Sequence, residues 1–371
     1  MKKILLCFGT RPEAIKMASL YHVLKASTKF QIEVCVTAQH REMLDQVLDF
    51  FEIVPDYDLD LMKENQSLNA LSSRIFIAID QVFEISRPDL VLVHGDTTTS
   101  TMCALAAFHR GIKVGHVEAG LRTYNKKSPF PEEMNRQITG RIADYHFAPT
   151  QQSFKNLILE NVSKENIVVT GNTVIDSLIW SQKKLNASSN QDKIETFKKI
   201  NFNNKVILVT GHRRENFGQG FENICKALLE IAKDNTVEIV YPVHLNPNVQ
   251  KPVYEILGTT KNIHLIAPLD YPNFVWLMSK SYFIITDSGG VQEEAPTLGK
   301  PVLVTRDTTE RPEAVLAGTV HLVGTNAAKI VSESHALLND LDYYHKMQQA
   351  HNPYGDGQAC KRICEFLIKR I

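Results

Sequence analysis

Lys2-Lys3-Ile4-Leu5-Leu6-Cys7-Phe8-Gly9-Thr10-Arg11-Pro12-Glu13-Ala14-Ile15-Lys16 is the stretch whose reading decides the architecture. Two lysines precede an apolar run of five residues, which Gly9, Arg11 and Glu13 then break. That run is too short for a signal peptide and has the length of a buried strand. Gly9 lets the backbone turn tightly, and Pro12 suits the first helical turn, where its missing N–H has no intrahelical partner anyway. Strand, glycine turn and helix in direct succession form the first step of a parallel sheet covered by helices.

The same step recurs along the chain. Apolar runs at 3–8, 32–38, 89–95, 114–118, 145–148 and 167–170 read as strands, and segments such as 12–24, 68–85, 100–109, 131–143 and 151–160 read as helices between them. The polar, lysine-bearing stretch 183–204 interrupts the rhythm and reads as surface helix and loop just past a domain junction. Strand runs then resume at 206–210, 237–243, 263–266, 283–286, 301–304 and 320–323. Two such series predict an α/β chain of two doubly wound, Rossmann-like domains facing a cleft, with ligands at the carboxyl ends of the strands.

A length of 371 residues agrees with two domains. Lysine plus arginine and aspartate plus glutamate each number 41, so the net charge is zero. Nothing here argues for nucleic acid or membrane as a partner held by bulk charge, and an anionic small ligand would be held by a few placed arginines and lysines. The six cysteines are scattered, Cys360 and Cys364 sit at helical spacing, and the set reads as thiols in a reducing cytosol. The longest stretch without Asp, Glu, Lys or Arg is 314–328, too short for a transmembrane helix.

Polar, glycine-bearing motifs fall at the strand ends. Gly9 to Glu13 opens a helix whose free amides suit an anion, reinforced by Arg11 and Lys16. The motif is neither a Walker loop nor GxGxxG, which weakens nucleoside triphosphate and NAD readings. Asp96 ends one strand and Glu118 the next, while Glu132 and Glu133 begin a helix after paired prolines. Acidic residues in a first helical turn often only complement the dipole, but converging carboxylates repel, one pKa rises, and proton transfer becomes possible. In the second half Gly211-His212-Arg213-Arg214 places basic groups at a strand end. Asp287-Ser288-Gly289-Gly290 offers amides for diphosphate oxygens, with Glu294 one turn later and Arg306 and Arg311 on the same edge. The pairs His94/Asp96 and His116/Glu118 invite a metal reading, yet HExxH, cysteine knuckles and EF-hand loops are lacking from the sequence.

Taken together, FGTRPEAIKMA (8–18), TAQHREMLDQVL (37–48), VLVHGDTTT (91–99), GHVEAGLRT (115–123), PEEMNRQ (131–137), TGNTVID (170–176), TGHRREN (210–216), YPVHLNPNV (241–249), TDSGGVQEEAP (286–296), RDTTERPEAV (306–315) and NPYGDGQA (352–359) resemble the non-hydrolysing UDP-N-acetylglucosamine 2-epimerases of bacteria. The resemblance spans the chain in unbroken order. It implies a glycosyltransferase-B type fold, with an N-terminal domain over 1–173, a UDP-binding domain over 174–357, and a C-terminal helix at about 358–371 packing back on the first domain. It implies reversible conversion of UDP-GlcNAc to UDP-ManNAc for cell-surface polysaccharide synthesis, without NAD, metal or other cofactor, in a cytoplasmic homodimer. The implied reaction eliminates UDP to a 2-acetamidoglucal and adds it back. Asp96, Glu118 and Glu132 match the family's acidic catalytic positions, and His212 matches the histidine that stabilises leaving UDP. Arg11, Lys16, Leu269, Phe274, Ser288, Gly289, Gly290, Glu294 and Arg311 match nucleotide-binding positions. Gln39, Glu42, Arg213 and His244 match a second, allosteric UDP-GlcNAc site. Glu42 stands where the family can carry glutamine, and Asn65 where it can carry arginine. The alternatives are an epimerase of another UDP-2-acetamido sugar, a glycosyltransferase of the same fold, a hydrolysing relative, or a non-catalytic UDP-sugar binder.

Overall fold

The computed structural model describes residues 1–37, 41–61, 66–187, 195–309 and 311–371. The chain divides into two compact units, Met1–Trp180 with Tyr354–Ile371, and Ser181–Pro353. The sequence reading put the junction at 173, but the first turns of the helix Thr173–Ala187 belong to the first unit. There Ser177 Oγ donates to the Ile15 carbonyl at 2.5 Å, and Trp180 stacks on His22 with centroids 5.4 Å apart.

The first unit is a seven-stranded sheet of β1 (Lys2–Phe8), β2 (Phe30–Val36), β3 (Tyr57–Asp58), β4 (Leu90–His94), β5 (Lys113–Val117), β6 (Tyr145–Ala148) and β7 (Ile167–Val169), in the order β3-β2-β1-β4-β5-β6-β7. All pairings are parallel, with Cys7 opposite Cys35 on one side and Val93 on the other. Parallel strands buried on both faces must be apolar throughout, which is why Ile4 to Phe8 and Leu90 to Val93 are almost completely shielded. β3 has two residues and no apolar run, so the sequence reading passed over it.

The second unit repeats the plan with β8 (Lys205–Thr210), β9 (Val237–Pro242), β10 (Ile263–Ile266), β11 (Phe283–Thr286), β12 (Val302–Val304) and β13 (Val320–Leu322), in the order β10-β9-β8-β11-β12-β13. In each sheet the winding reverses at one place, between β1 and β4 and between β8 and β11. A doubly wound sheet opens a crevice at that switch point, so residues just past those four strands are the ones to inspect.

Within the stretch 183–204, the described residues Phe197 and Ile200 are not superficial but buried, and Phe197 stacks on Trp276 with centroids 4.9 Å apart. The C-terminal helix Ala359–Arg370 lies in the first unit. Asp176 accepts from the Ala359 and Cys360 amides at 3.2 and 2.9 Å, satisfying donors that a helix start leaves open. Phe366 packs edge-on against Tyr145 and Phe147.

Candidate active site

In the first unit the site grows from the turns after β1, β4 and β5. Gly9 follows β1 where no side chain fits: a Cβ there would run into Thr37 Oγ1 and stand 2.7 Å from Thr99 Oγ1. Thr10 caps the helix Arg11–Ala26, and Glu13 completes the capping box. Buried Glu13 does more than cap. Its Oε2 accepts from the Gly9 amide at 3.0 Å and from the Thr10 amide and hydroxyl at 2.8 Å each, and its Oε1 accepts from Thr97 at 2.6 Å and Ser100 at 3.0 Å. One carboxyl thus ties the turn after β1 to the start of the helix Thr98–His109 after β4. Burial pushes its pKa up, while the hydrogen bonds from Thr97, Gly9 and Thr10 pull it back.

Glu118 follows β5 with φ of +63°, a left-handed conformation that costs a side-chain-bearing residue roughly 1–2 kcal/mol. The surroundings hold it there. Lys16 Nζ forms an ion pair with Glu118 Oε2, Asn172 Nδ2 donates to the same oxygen at 2.8 Å, and His94 Nε2 lies 3.8 Å away. The Asn172 amide in turn donates to the Tyr354 carbonyl at 2.7 Å, so the returning C-terminal segment supports the carboxylate. Burial pushes the His94 pKa down to about 4, leaving a neutral ring at neutral pH.

Asp96, just past β4, is ion-paired with Arg136, whose Nε donates to Asp96 Oδ2 at 3.1 Å. Its pKa is raised, first by burial and further by the charge of Glu118, against the pull of Arg136. Glu132 and Glu133 open the helix Glu132–Ile142, and the structure separates their roles. Glu133 is fully buried and accepts from the Thr123 and Tyr124 amides at 3.0 Å each, Gln137 at 2.8 Å and Arg136 at 3.2 Å. Burial pushes its carboxyl upward, but those donors bring it below the usual range, which marks a structural anchor. Glu132 Oε2 is shielded from solvent without a hydrogen-bond partner, which marks a group left available.

His116, paired with Glu118 in the sequence motif, is turned to another partner. His116 Nε2 faces the Gly95 carbonyl at 2.7 Å, and burial pushes its pKa down to about 3, so Nε2 donates and the ring is a structural tie. Among the described residues no group of three or more His, Cys, Asp or Glu side chains is arranged to hold a metal ion.

In the second unit the switch point carries the basic groups. Asp287, fully buried past β11, accepts from the His212 and Arg213 amides at 2.8 Å each, and His212 Nδ1 lies 3.1 Å from its Oδ1. His244 stacks on His212, with centroids 5.7 Å apart and planes 25° apart. Burial followed by the charge of His212 lowers the His244 pKa. Ser288 precedes the short helix Gly289–Glu294. Arg311, whose Nε donates to Glu293 at 2.7 Å, lays its guanidinium over Gly289, where a Cβ would stand 2.6 Å from Nη1. A glycine turn beneath a guanidinium combines amides with positive charge, as a diphosphate requires. Glu294 is buried and accepts from Tyr271 at 3.4 Å. Tyr271 opens the helix Tyr271–Lys280, which carries half-buried Phe274, with half-buried Leu269 just before it.

The candidates therefore gather into two sets. Lys16, Asp96, Glu118 and Glu132 lie with Arg11 in the first unit. His212, Arg213, His244, Leu269, Phe274, Ser288, Gly289, Gly290, Glu294 and Arg311 lie in the second. Gln39 and the side chain of Glu42 fall outside the described residues. Sequence reasoning assigned no role to Glu13, Arg136, Asn172 or Asp287, although all four stand inside motifs it singled out; what they do depends on partners dozens of residues away.

Known proteins resemble the chain over nearly its whole length. A family model described as UDP-N-acetylglucosamine 2-epimerase matches residues 22–368. A UDP-N-acetylglucosamine 2-epimerase of Salmonella typhimurium is 58% identical over 368 residues, covering 98% of each chain. One of Campylobacter jejuni is 57% identical over 376 residues, covering 100% of this chain and 98% of its own. The crystal structure of UDP-GlcNAc 2-epimerase from Neisseria meningitidis bound to UDP-GlcNAc matches with a TM-score of 0.92 at 53% identity, over 99% of this chain and 100% of that one.

Proposed function

The chain belongs to the UDP-N-acetylglucosamine 2-epimerase family, and we propose that it interconverts UDP-GlcNAc and UDP-ManNAc by inverting C2 of the sugar. The C2 hydrogen is not next to a carbonyl, so a bare carbanion there is out of reach. A base instead removes the C2 proton while the C1–oxygen bond breaks and UDP leaves with the bonding pair, giving 2-acetamidoglucal. UDP then adds back at C1 as a proton arrives on the opposite face of C2. The observation that carries this reading is the Glu118 carboxylate, set in a left-handed turn and gripped by Lys16 and Asn172, in an environment shared with an Asp96 whose pKa is raised. Glu118 and Glu132 serve as acid and base, and Asp96 as a third group that positions or relays the proton. His212, Arg311 and the Ser288-Gly289-Gly290 turn take the diphosphate, Arg11 and Lys16 add charge, Glu294 takes the ribose, and Leu269 and Phe274 take the uracil.

The test is incubation with UDP-GlcNAc in heavy water, followed by mass spectrometry and proton NMR. UDP-ManNAc carrying deuterium at C2 is the expected product. Product without solvent deuterium would sink the elimination route.

Three further features belong to the same proposal. A second UDP-GlcNAc acts as activator at Arg213 and His244, for which the stacking of His244 on His212 offers a direct line to the reacting group. The chain works as a homodimer, for which exposed Ile77, Ile85 and Phe108 on the helices Leu68–Ser86 and Thr98–His109 offer apolar surface to a second copy. A cytoplasmic setting fits six buried cysteines that are all free thiols, and no described helix is long and apolar enough to cross a membrane.

A further inference from the structure

We infer that Asp287 is a positioning residue for the reaction: it holds His212 with the ring proton on Nδ1, so that Nε2 is the atom turned outward toward the departing diphosphate. This rests on the reading of His212 as the group that meets UDP. The argument begins with the sheet. Strands β8 and β11 are neighbours in which Thr210 stands opposite Thr286, and their hydroxyls lie 2.6 Å apart. The chain positions just beyond, Gly211-His212 on one strand and Asp287 on the other, therefore leave the sheet side by side at its switch point.

The two oxygens of Asp287 are used differently. Oδ2 accepts from the His212 amide, the Arg213 amide and, at 3.4 Å, Asn216 Nδ2, which fixes the backbone of the turn. Oδ1 is shielded from solvent, has no well-aligned hydrogen bond, and lies 3.1 Å from His212 Nδ1. Burial pushes the Asp287 carboxyl upward, but the His212 ring and the two amides carry it below its usual range, so it is a carboxylate at neutral pH. A carboxylate can only accept, so a hydrogen on Nδ1 is what would satisfy this otherwise unpaired oxygen. With backbone and ring gripped by one buried residue, Nε2 is left on a side chain that is 43% exposed. An imidazole so held can present a lone pair at Nε2 or, once protonated there, a charged donor whose positive charge Asp287 balances. The other groups beside the pair are the stacked ring of His244 and the buried Tyr241 hydroxyl. Neither His244 nor Tyr241 is a carboxylate, which leaves Asp287 as the acceptor that defines the tautomer.

The test is nitrogen-15 NMR of the full-length protein labelled at histidine, with the His212 signals identified by their loss in His212→Gln. The ring proton is expected on Nδ1 in the native protein. In Asp287→Asn the side-chain oxygen can keep the two backbone amides while its NH2 group faces Nδ1, which drives the ring proton to Nε2. Turnover of UDP-GlcNAc is expected to fall about tenfold or more, since a charge-assisted hydrogen bond is roughly twice as strong as a neutral one. Because Asp287 acts through His212, the same change introduced into His212→Gln should cost little further turnover, whereas a residue that merely held the fold would cost as much there as in the native background. A neutral His212 with its proton on Nε2 in the native protein overturns the inference, as does an additive loss in the double variant. The NMR measurement needs no substrate, so failure of this inference is distinguishable from failure of the epimerase reading, and the native spectrum decides even if Asp287→Asn does not fold.

Discussion

Replacing Glu13 by alanine removes the carboxyl that joins the turn after β1 to the helix after β4. Five donors converge on it. Three are hydroxyls of Thr10, Thr97 and Ser100, which can rotate; Thr97 and Ser100 already lie 3.1 Å apart and can satisfy one another. The other two are the amides of Gly9 and Thr10, fixed by the backbone and unable to turn away. Leaving a buried donor unpaired costs about 1–3 kcal/mol, so two amides plus lost cross-linking put Glu13→Ala at about 3–5 kcal/mol. Glu13→Gln behaves differently, because the amide oxygen can occupy the Oε2 position and keep the two fixed amides paired while its nitrogen donates to the hydroxyls of Thr97 and Ser100, so its cost should stay within about 1 kcal/mol. The assay can be confined to one unit. The chain has two tryptophans, Trp180 in the first unit and Trp276 in the second. In a Trp276→Phe background, urea unfolding followed by fluorescence reports Trp180, which packs between His22 and Phe51. If Glu13→Ala stayed within about 1 kcal/mol of its parent by this probe, the claim that unpaired amides dominate the site would be refuted.

Three further outcomes follow from the same geometry. Since burial raises the folded Glu13 pKa above its ordinary 4.5, this group's contribution to stability is fully present below that value and fades as pH rises through the folded pKa; comparing native and Glu13→Gln unfolding across the pH range should show that slope in the native protein alone. Glu118→Gln or Glu132→Gln should lower turnover by about 10²–10⁴ while UDP binding by calorimetry persists, and near-native turnover would remove that residue from acid–base work. Gly289→Ala adds a carbon 2.6 Å from Arg311 Nη1 in a helical position that accepts alanine, so UDP affinity should drop about tenfold with little change in melting temperature.

How much of this was legible in the sequence depends on the range of the physics involved. β1 and the helix after it are local: an apolar run, a glycine and a proline specify them, and the structure differs only by a residue or two at each end. β3 lacked any such run and exists because its partner strand supplies the hydrogen bonds. Glu132 and Glu133 look alike as letters in a first helical turn, and only the fold reveals that four donors saturate Glu133 while an oxygen of Glu132 has none. Asn172 reads as a loop residue until the segment at Tyr354 returns to hold it against Glu118. The side-chain partners that shape these acids arrive from other elements, and no periodicity records them.

Pairing also changes what a neutral total charge means. A count of 41 acids and 41 bases suggests a division of labour, with carboxylates for proton transfer on one unit and cations for phosphate on the other. The structure instead pairs acids with bases inside each unit: Lys16 with Glu118 and Arg136 with Asp96 in the first, Asp287 with His212 and Glu293 with Arg311 in the second. The reason is energetic, since an ion buried at a switch point without a partner costs several kcal/mol, roughly what an entire domain has in reserve. Lys16 is therefore engaged with the carboxylate of Glu118, and Arg311 approaches Gly289 with its Nε already engaged by Glu293. Cations that the sequence marks for UDP are held in place by acids before any nucleotide arrives, and that prior pairing is what gives the few arginines and lysines at these strand ends fixed positions rather than the freedom of surface side chains.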